Sequence, residues 1–260
     1  MLNRAGNNRP PVTRTITFPP PSRGWVQSGN ILQASPDQAE VLDNFIVTAQ
    51  GARLRGGAQA YSAIGTSVVR LFTYVSGSTE ILFAATASGI YDTATGGGYS
   101  SGFSSGFTVS PTLSRAGTSG DWSTTQISTA GGEFLVGVNG ADTGWTFNGS
   151  TFSDISLTGV ASTALSQVWL FKERLFFVEE GTQSCWYLPV ESIGGTVTEI
   201  NLGSVFQKGG SLLFGATWSL DSGSGLDDVC IFVSTRGEVA VYEGTDPASA
   251  STWSLVGVYD

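Results

Sequence analysis

The chain has 260 residues, a formal net charge of -9, 35 glycines, two cysteines and no histidine. The missing histidine excludes His-ligated zinc sites, Ser-His-Asp triads and imidazole acid/base chemistry, which weakens an enzymatic reading, although two carboxylates suffice for glycoside hydrolysis. There is no Met-rich or Leu-rich helical patterning and the one Met is the first residue, so core filling falls to Val, Ile, Leu, Phe and seven Trp, which favours pleated strands in an all-β chain of one main domain.

The N-terminal "MLNRAGNNRPPVTRT" has no apolar segment of the signal-peptide kind, and no apolar run approaches the roughly 20 residues of a membrane helix. No membrane span is expected. Residues 1–60 hold six arginines against three carboxylates, a balance of +3 that leaves -12 for the remainder. Five of the nine prolines lie within residues 1–35. That composition predicts an extended, basic, Pro-rich arm over 1–35, ordered by lying along a neighbour. Ser35 as N-cap with Pro36 at the first helical position predicts one helical turn.

The stretch "LDNFIVTAQGARLRGG" follows. It predicts a hairpin, Leu42–Thr48 turning through Ala49, Gln50 and Gly51 into Ala52–Arg55. Alternation sets Ala52 and Leu54 on one face and Arg53 and Arg55 on the other. Two arginines concentrated in an acidic chain suit an acidic neighbour better than a substrate, so Arg53 and Arg55 are the candidate subunit-interface residues.

From residue 61 onward four segments align on an acidic residue before an apolar strand: Glu80, Glu133, Glu173 and Asp228. Each reads strand, short polar turn, strand, with an aromatic 11 to 14 residues after the acid: Tyr91, Trp145, Trp186 and Tyr242. Apolar stretches precede each hairpin at 68–75, 122–128, 166–171 and 212–220. A further strand follows the last three, while "GGGYSSGFSSGFTV" after the first is a poorer match. The repeating unit is therefore about four strands, as in a β-propeller blade. The expected architecture is a β-propeller-like array over 36–260 behind the arm, with a β-sandwich as the alternative. A propeller closes on its start, whereas this array stops at "SLVGVYD". Either 39–60 supplies strands of another blade or the sequence belongs to a longer polypeptide.

Candidate chemistry is sparse. The pairs Glu179-Glu180 and Asp227-Asp228 could serve a glycosidase, but at strand ends beside turns they read as solvated acids. "SGDWSTTQ" (119–126) lacks the Gly and final Trp of a sialidase Asp box. No phosphate loop exists, and the Gly96–Gly98 run opens no helix. "NGS" at 148–150 reads as an Asn-Gly hairpin turn. "LDSGSGLDD" (220–228) is a faint calcium candidate, equally readable as a plain loop. Cys185 and Cys230 read as two buried thiols of a reducing compartment, a disulfide being a matter of geometry. No cofactor and no enzymatic activity are expected. An isoelectric point near 4.4 opposes sequence-specific nucleic-acid binding, though an acidic wall that repels phosphates would let DNA slide past.

Asp37, Ala39, Leu42, Asn44 and Phe45, followed by Gly51, Arg53, Arg55 and Gly57, match the strings Asp-x-Ala-x-x-Leu-x-Asn-Phe and Gly-x-Arg-x-Arg-x-Gly. Together with the repeats over roughly 30–260, they resemble the N-terminal half of bacteriophage tail nozzle proteins, also called tail tubular protein B. Propellers that plug the tails of other short-tailed phages are similar in role. The resemblance implies a virion structural protein assembled in the host cytoplasm: a ring of six copies beneath an adaptor or portal ring, with tail fibres as further neighbours and DNA passing through unbound. Nozzle proteins are usually longer, with more blades and a distal tip domain, and this chain departs from them there. The alternative function is a carbohydrate-binding or carbohydrate-cleaving propeller acting on host glycans, with Trp145 and Trp186 as stacking platforms.

Overall fold

The structure, a computed structural model, describes residues 17, 19–26, 35–56, 62, 64, 66–93, 112–221 and 226–260, with 220, 221, 226 and 227 described by backbone alone. Arg4, Arg9, Arg14, Gly57, the Gly96–Gly98 run and most of the 220–228 loop lie outside the described residues or side chains. Among the described residues strands dominate, and the helical content is a single 3-10 turn, Ser162–Ala164. The chain divides into two units, Met1–Gln59 and Ala60–Asp260. The hairpin expected inside the propeller-like domain thus belongs to the N-terminal unit.

In that unit β1 (Phe45–Thr48) pairs with β2 (Gly51–Leu54), Phe45 opposite Leu54 and Ile46 opposite Arg53. The expected hairpin is present. The expected helical turn after Ser35 is not. Residues 36–37 form a turn in which the Ser35 hydroxyl donates to the Asp37 carboxylate and the Ser35 N–H to Gln38 Oε1, 3.0 Å. Short polar side chains that bond their own backbone compete with a helix. The described part of the arm also departs from a free extended segment, because Trp25 bridges Ala39 in parallel, Arg23 pairs with Asp37 at 3.2 Å and the Trp25 indole N–H donates to the Glu40 carbonyl at 2.8 Å.

The second unit is built from four antiparallel sheets, each a sequential four-strand meander. The first holds β3 (Val68–Ser76), β4 (Thr79–Thr86), β5 (Gly89–Asp92) and β6 (Thr112–Ala116). The second holds β7 (Ser123–Thr129), β8 (Gly132–Val138), β9 (Trp145–Phe147) and β10 (Phe152–Asp154). After the short β11 (Leu157–Thr158), the third holds β12 (Leu165–Phe171), β13 (Arg174–Glu179), β14 (Ser184–Tyr187) and β16 (Thr198–Asn201). A two-residue β15 (Gly195–Thr196) pairs in parallel with β11. The fourth sheet holds β17 (Leu212–Asp221), β18 (Leu226–Ser234), β19 (Val239–Gly244) and β20 (Trp253–Tyr259).

These are propeller-like blades, and among the described residues they do not close into a ring. Three buried clusters lie between successive blades. Phe72, Tyr74 and Phe83 of the first meet Trp122, Leu135 and Trp145 of the second. Ile127 and Val136 of the second meet Val168 and Phe177 of the third. Trp169, Phe176 and Tyr187 of the third meet Cys230, Phe232 and Ala240 of the fourth. Each blade therefore has an upstream face, toward the preceding blade, and a downstream face. Period-two alternation in the strands assigns residues to one or the other.

The first strand of each blade is unpaired along one edge, and its free backbone groups need partners. A polar side chain supplies them at every junction. Gln126 Nε2 donates to the Val75 carbonyl (2.6 Å) while Val75 N–H donates to Gln126 Oε1 (3.0 Å), joining β7 to β3. Val168 N–H donates to Ser123 Oγ at 3.1 Å, joining β12 to β7. Gln167 repeats the two-point grip on Gly215 at 2.8 Å in each direction, joining β12 to β17.

Turns follow a shared local rule. Thr48, Thr86 and Thr129 each donate a hydroxyl hydrogen bond to the carbonyl of the glycine three residues on, at 3.1, 3.3 and 3.3 Å, and those glycines hold positive φ. A larger loop, 139–144, is tied to the segment entering the second blade through Asp142. Its carboxylate accepts from Thr118 N–H (2.9 Å), Thr118 Oγ1 (2.7 Å), Ser119 N–H (3.1 Å) and Asn139 Nδ2 (2.9 Å). Burial pushes this carboxyl up, but hydrogen bonds from Thr118, Asn139 and Ser119 outweigh it and hold it below its ordinary value. A carboxyl depressed in the folded state adds stability above its unfolded pKa, here 3.8, and loses it as pH falls through the folded value. Asp142→Asn is therefore expected to flatten the acid limb of a stability-versus-pH curve below about pH 4, measured by urea unfolding; an unchanged limb would assign the acid sensitivity elsewhere.

Candidate functional site

The residues singled out for assembly, Arg53 and Arg55, sit on and just after β2. The alternation expected of them is realised. Phe45, Val47, Ala52 and Leu54 share one face, Ile46 and Arg53 the other, and Arg55 extends the pairing by donating its N–H to the Asn44 carbonyl at 2.6 Å. Both arginine side chains are exposed, and neither guanidinium bonds a described residue. The apolar face is exposed too, Leu54 at 69% and Phe45 at 45%, with Trp25 at 60% and Val41 at 70% nearby in sequence or pairing. A two-stranded ribbon that leaves its apolar face in water is marginal by itself, and a large exposed apolar patch marks an interaction surface. The geometry offers a partner both apolar area and two cationic donors.

No protein-family model matches the chain, and no curated protein does. One solved structure, described as BBS1N in complex with ARL6DN, soaked with mercury, matches at 12% identity and a TM-score of 0.35. The match covers 75% of this chain and 66% of that one, so the chain spans just under two thirds of that structure's length. The fold assignment rests on the strand order above.

An acidic DNA-facing wall was expected of the chain, with no strands assigned to it, and the first strands of the blades do not form one. Their sequences are nearly uncharged: Ser, Thr and Gln in β7 and β12, with Arg70 in β3 and Asp221 in β17 the charged members. Arg70 is itself paired with Asp121 at 2.8 Å. The carboxylates sit instead in the second to fourth strands, hairpins and loops.

Of the expected acid pairs, Glu179 and Asp228 bond neighbouring side chains of the scaffold, and the Asp227 side chain lies outside the described side chains. Glu179 Oε2 accepts the Trp186 indole N–H at 2.9 Å, and Glu180 donates its N–H to the Ala164 carbonyl at 2.8 Å. Asp228 stands 3.5 Å from Lys172 Nζ and accepts from Ser219 Oγ at 2.5 Å. The Ser219 hydrogen bond first, then the Lys172 charge, hold its carboxyl below the usual range against burial. Trp145 is fully buried and so offers no stacking platform, whereas Trp186 is partly exposed. Cys185 and Cys230 are buried free thiols of one cluster; burial pushes both up, and Cys185 also feels Cys230. Among the described residues no group of three or more His, Cys, Asp and Glu side chains is gathered for a metal.

Two features had no sequence expectation. An open cleft of about 400 Å³ at the edge of the third and fourth blades is lined by Lys172, Asp228, Glu243 and Trp253. Lys172 reaches it from a two-residue turn in which Lys172 and Glu173 both hold positive φ, a position that Asn-Gly normally fills. Glu238 is 3% exposed, and its carboxylate accepts Gln207 N–H and Lys208 N–H at 2.8 Å each, fastening the crossing from the third blade to the fourth. Only its place beside Gly237, at the turn into β19, hinted at it, and that signal does not separate a buried carboxylate from a solvated one.

Proposed function

We propose that the chain is a structural subunit of a bacteriophage tail, a nozzle-type ring component seated beneath the adaptor or portal ring, through which DNA leaves the capsid. The observation that carries the reading is the β1–β2 hairpin, whose Arg53 and Arg55 fall in the matched Gly-x-Arg-x-Arg-x-Gly string and stand exposed beside an exposed apolar face. The blades, clamped at each junction, supply a rigid wall. Six copies in a ring, adaptor or portal neighbours and a virion location follow from the resemblance. Here the hairpin is the copy-to-copy or copy-to-adaptor contact.

A second reading, a carbohydrate-binding propeller, is favoured by one observation, the cleft holding Trp253 with Lys172, Asp228 and Glu243. An aromatic face with polar groups around it suits a sugar.

The test is the double variant Arg53→Ala and Arg55→Ala in the full chain, read by mass photometry and negative-stain images, with far-ultraviolet circular dichroism as the folding control. Assembly is expected to be lost with the β-rich spectrum intact. A variant that still assembles like the parent removes the arginines from the interface. A parent that stays single and is retained by polysaccharide, with retention lost on Trp253→Ala, supports the second reading instead.

A further inference from the structure

The repeated aromatic has a constant place. Tyr91, Trp145, Trp186 and Tyr242 all lie in the third strand of their blade, opposite Ala84, Gly137, Phe177 and Cys230 of the second strand. In each case the aromatic is on the upstream face. Trp145 is buried against the first blade, Trp186 packs on the cluster shared with the second, and Tyr242 on the cluster shared with the third. Tyr91 is the member whose face has no preceding blade within the array. Around it runs a row across the whole first blade, Leu71, Ala84, Tyr91 and Leu113, in which Leu71 is 63% and Leu113 50% exposed.

The fourth blade has the converse surplus. Its upstream face, with Cys230, Phe232 and Tyr242, is committed to the third blade. Its downstream face carries two rows across all four strands, Phe214, Val233, Val239 and Tyr259, and Ala216, Ile231, Val241 and Gly257. Beside them Trp218 is 52% exposed. On β17, Phe214 and Trp218 face downstream as Phe72 and Tyr74 do on β3 and Trp169 and Phe171 on β12, and those four are buried in junctions. The array thus leaves one upstream face and one downstream face without a neighbouring blade, with Leu71, Leu113, Phe214, Trp218 and Tyr259 exposed and Ala84 and Val241 buried among them, the two halves of a contact that it makes three times internally.

We propose that a second copy of this chain occupies these faces, head to tail, with Trp218 of one copy's fourth blade against Leu71 and Tyr91 of the other copy's first blade. The occupant follows from continuity with the internal junctions, since the same chain carries both complementary halves. The contact is heterologous, so it must either close or propagate. Two copies joined through both junctions close at eight blades, the upper end of the common propeller range. The inference does not depend on the tail reading, and a ring of six copies would then hold three such pairs.

The test uses the full chain with Leu71→Glu and Trp218→Glu, both exposed positions, each variant checked by circular dichroism and thermal melting. By analytical ultracentrifugation at tens of micromolar, the parent is expected at a multiple of the 27.1 kDa chain mass. Each variant alone should lose the pairing. An equimolar mixture of the two should recover a species of two chains, because each supplies the intact half that the other lacks. A parent that stays at the single-chain mass overturns the proposal, whether its own N-terminal unit or nothing covers the faces. So does a Leu71→Glu variant that keeps the parent's mass while Trp218→Glu does not, which would mean fourth blade on fourth blade. A parent whose assembly survives both charged variants but not the loss of Arg53 and Arg55 overturns this interface and leaves the ring reading standing.

Discussion

Replacing Trp145 with alanine is expected to be the most damaging single change in the propeller-like unit, lowering the unfolding free energy by about 3–5 kcal/mol, the usual cost of removing a buried large aromatic. Its ring is fully buried and touches Phe72, Trp122 and Phe152 with centroids 5.7, 5.6 and 4.9 Å away. It also lies over Gly137, where a Cβ would come within 2.3 Å of the indole. The site therefore cannot collapse on one element alone, because its lining comes from two blades. The indole N–H finds no acceptor among the described residues, so Trp145→Phe should cost distinctly less than Trp145→Ala. Urea unfolding of both variants checks the order; equal losses would mean that a phenyl ring recovers none of the packing at this site.

The second large effect is expected at Gln167. Alanine there removes both hydrogen bonds to Gly215 and leaves a buried N–H and a buried carbonyl without partners, at about 1–3 kcal/mol for each such group. Gly215 cannot compensate by moving in, since it already lies under Trp169, with a Cβ position 2.3 Å from that ring. The expected loss is about 2–4 kcal/mol, a sum discounted for relaxation. Gln126→Ala is the internal comparison. It breaks the same grip at the first junction, but Val75 is exposed, so water can replace the amide and the loss should be about 1 kcal/mol or less. A Gln167→Ala variant no weaker than Gln126→Ala would show that junction clamps do not hold the third and fourth blades together.

These clamps mark the boundary of what a sequence reading can reach. The blades were legible because their signals are local. Glu80, Glu133 and Glu173 stand four residues before the partner of the repeated aromatic, as the shared spacing required, and Asp228 stands two before it, on the same face. The fourth strand of the first blade was not legible. It is Thr112–Ala116, five residues with one leucine, and the Gly- and Ser-rich tract before it hides the period. Gln126, Ser123 and Gln167 were equally silent, since their partners lie 51, 45 and 48 residues away and a polar residue in a strand reads as solvent-facing. Glu238 failed for the same reason.

For the candidate site the outcome was mixed. The hairpin and the facing of its residues followed from alternation in Ala52–Arg55. The exposure of Phe45 and Leu54 did not, because an apolar face in a sequence is expected to be covered. The helical turn expected after Ser35 does not form, because Asp37 and Gln38 engage the Ser35 hydroxyl and N–H in a local turn. Trp145 was readable as core or platform from its position, and its burial decides for core.

The role proposed for this protein is assembly, with the arginine hairpin as a contact. A cryo-electron microscopy reconstruction of the purified full-length assembly tests it most directly. The expected map is a closed ring of six copies with Arg53 and Arg55 facing carboxylates of a neighbouring chain. Single four-bladed particles at every concentration, or a ring in which the hairpin faces only solvent, would contradict it.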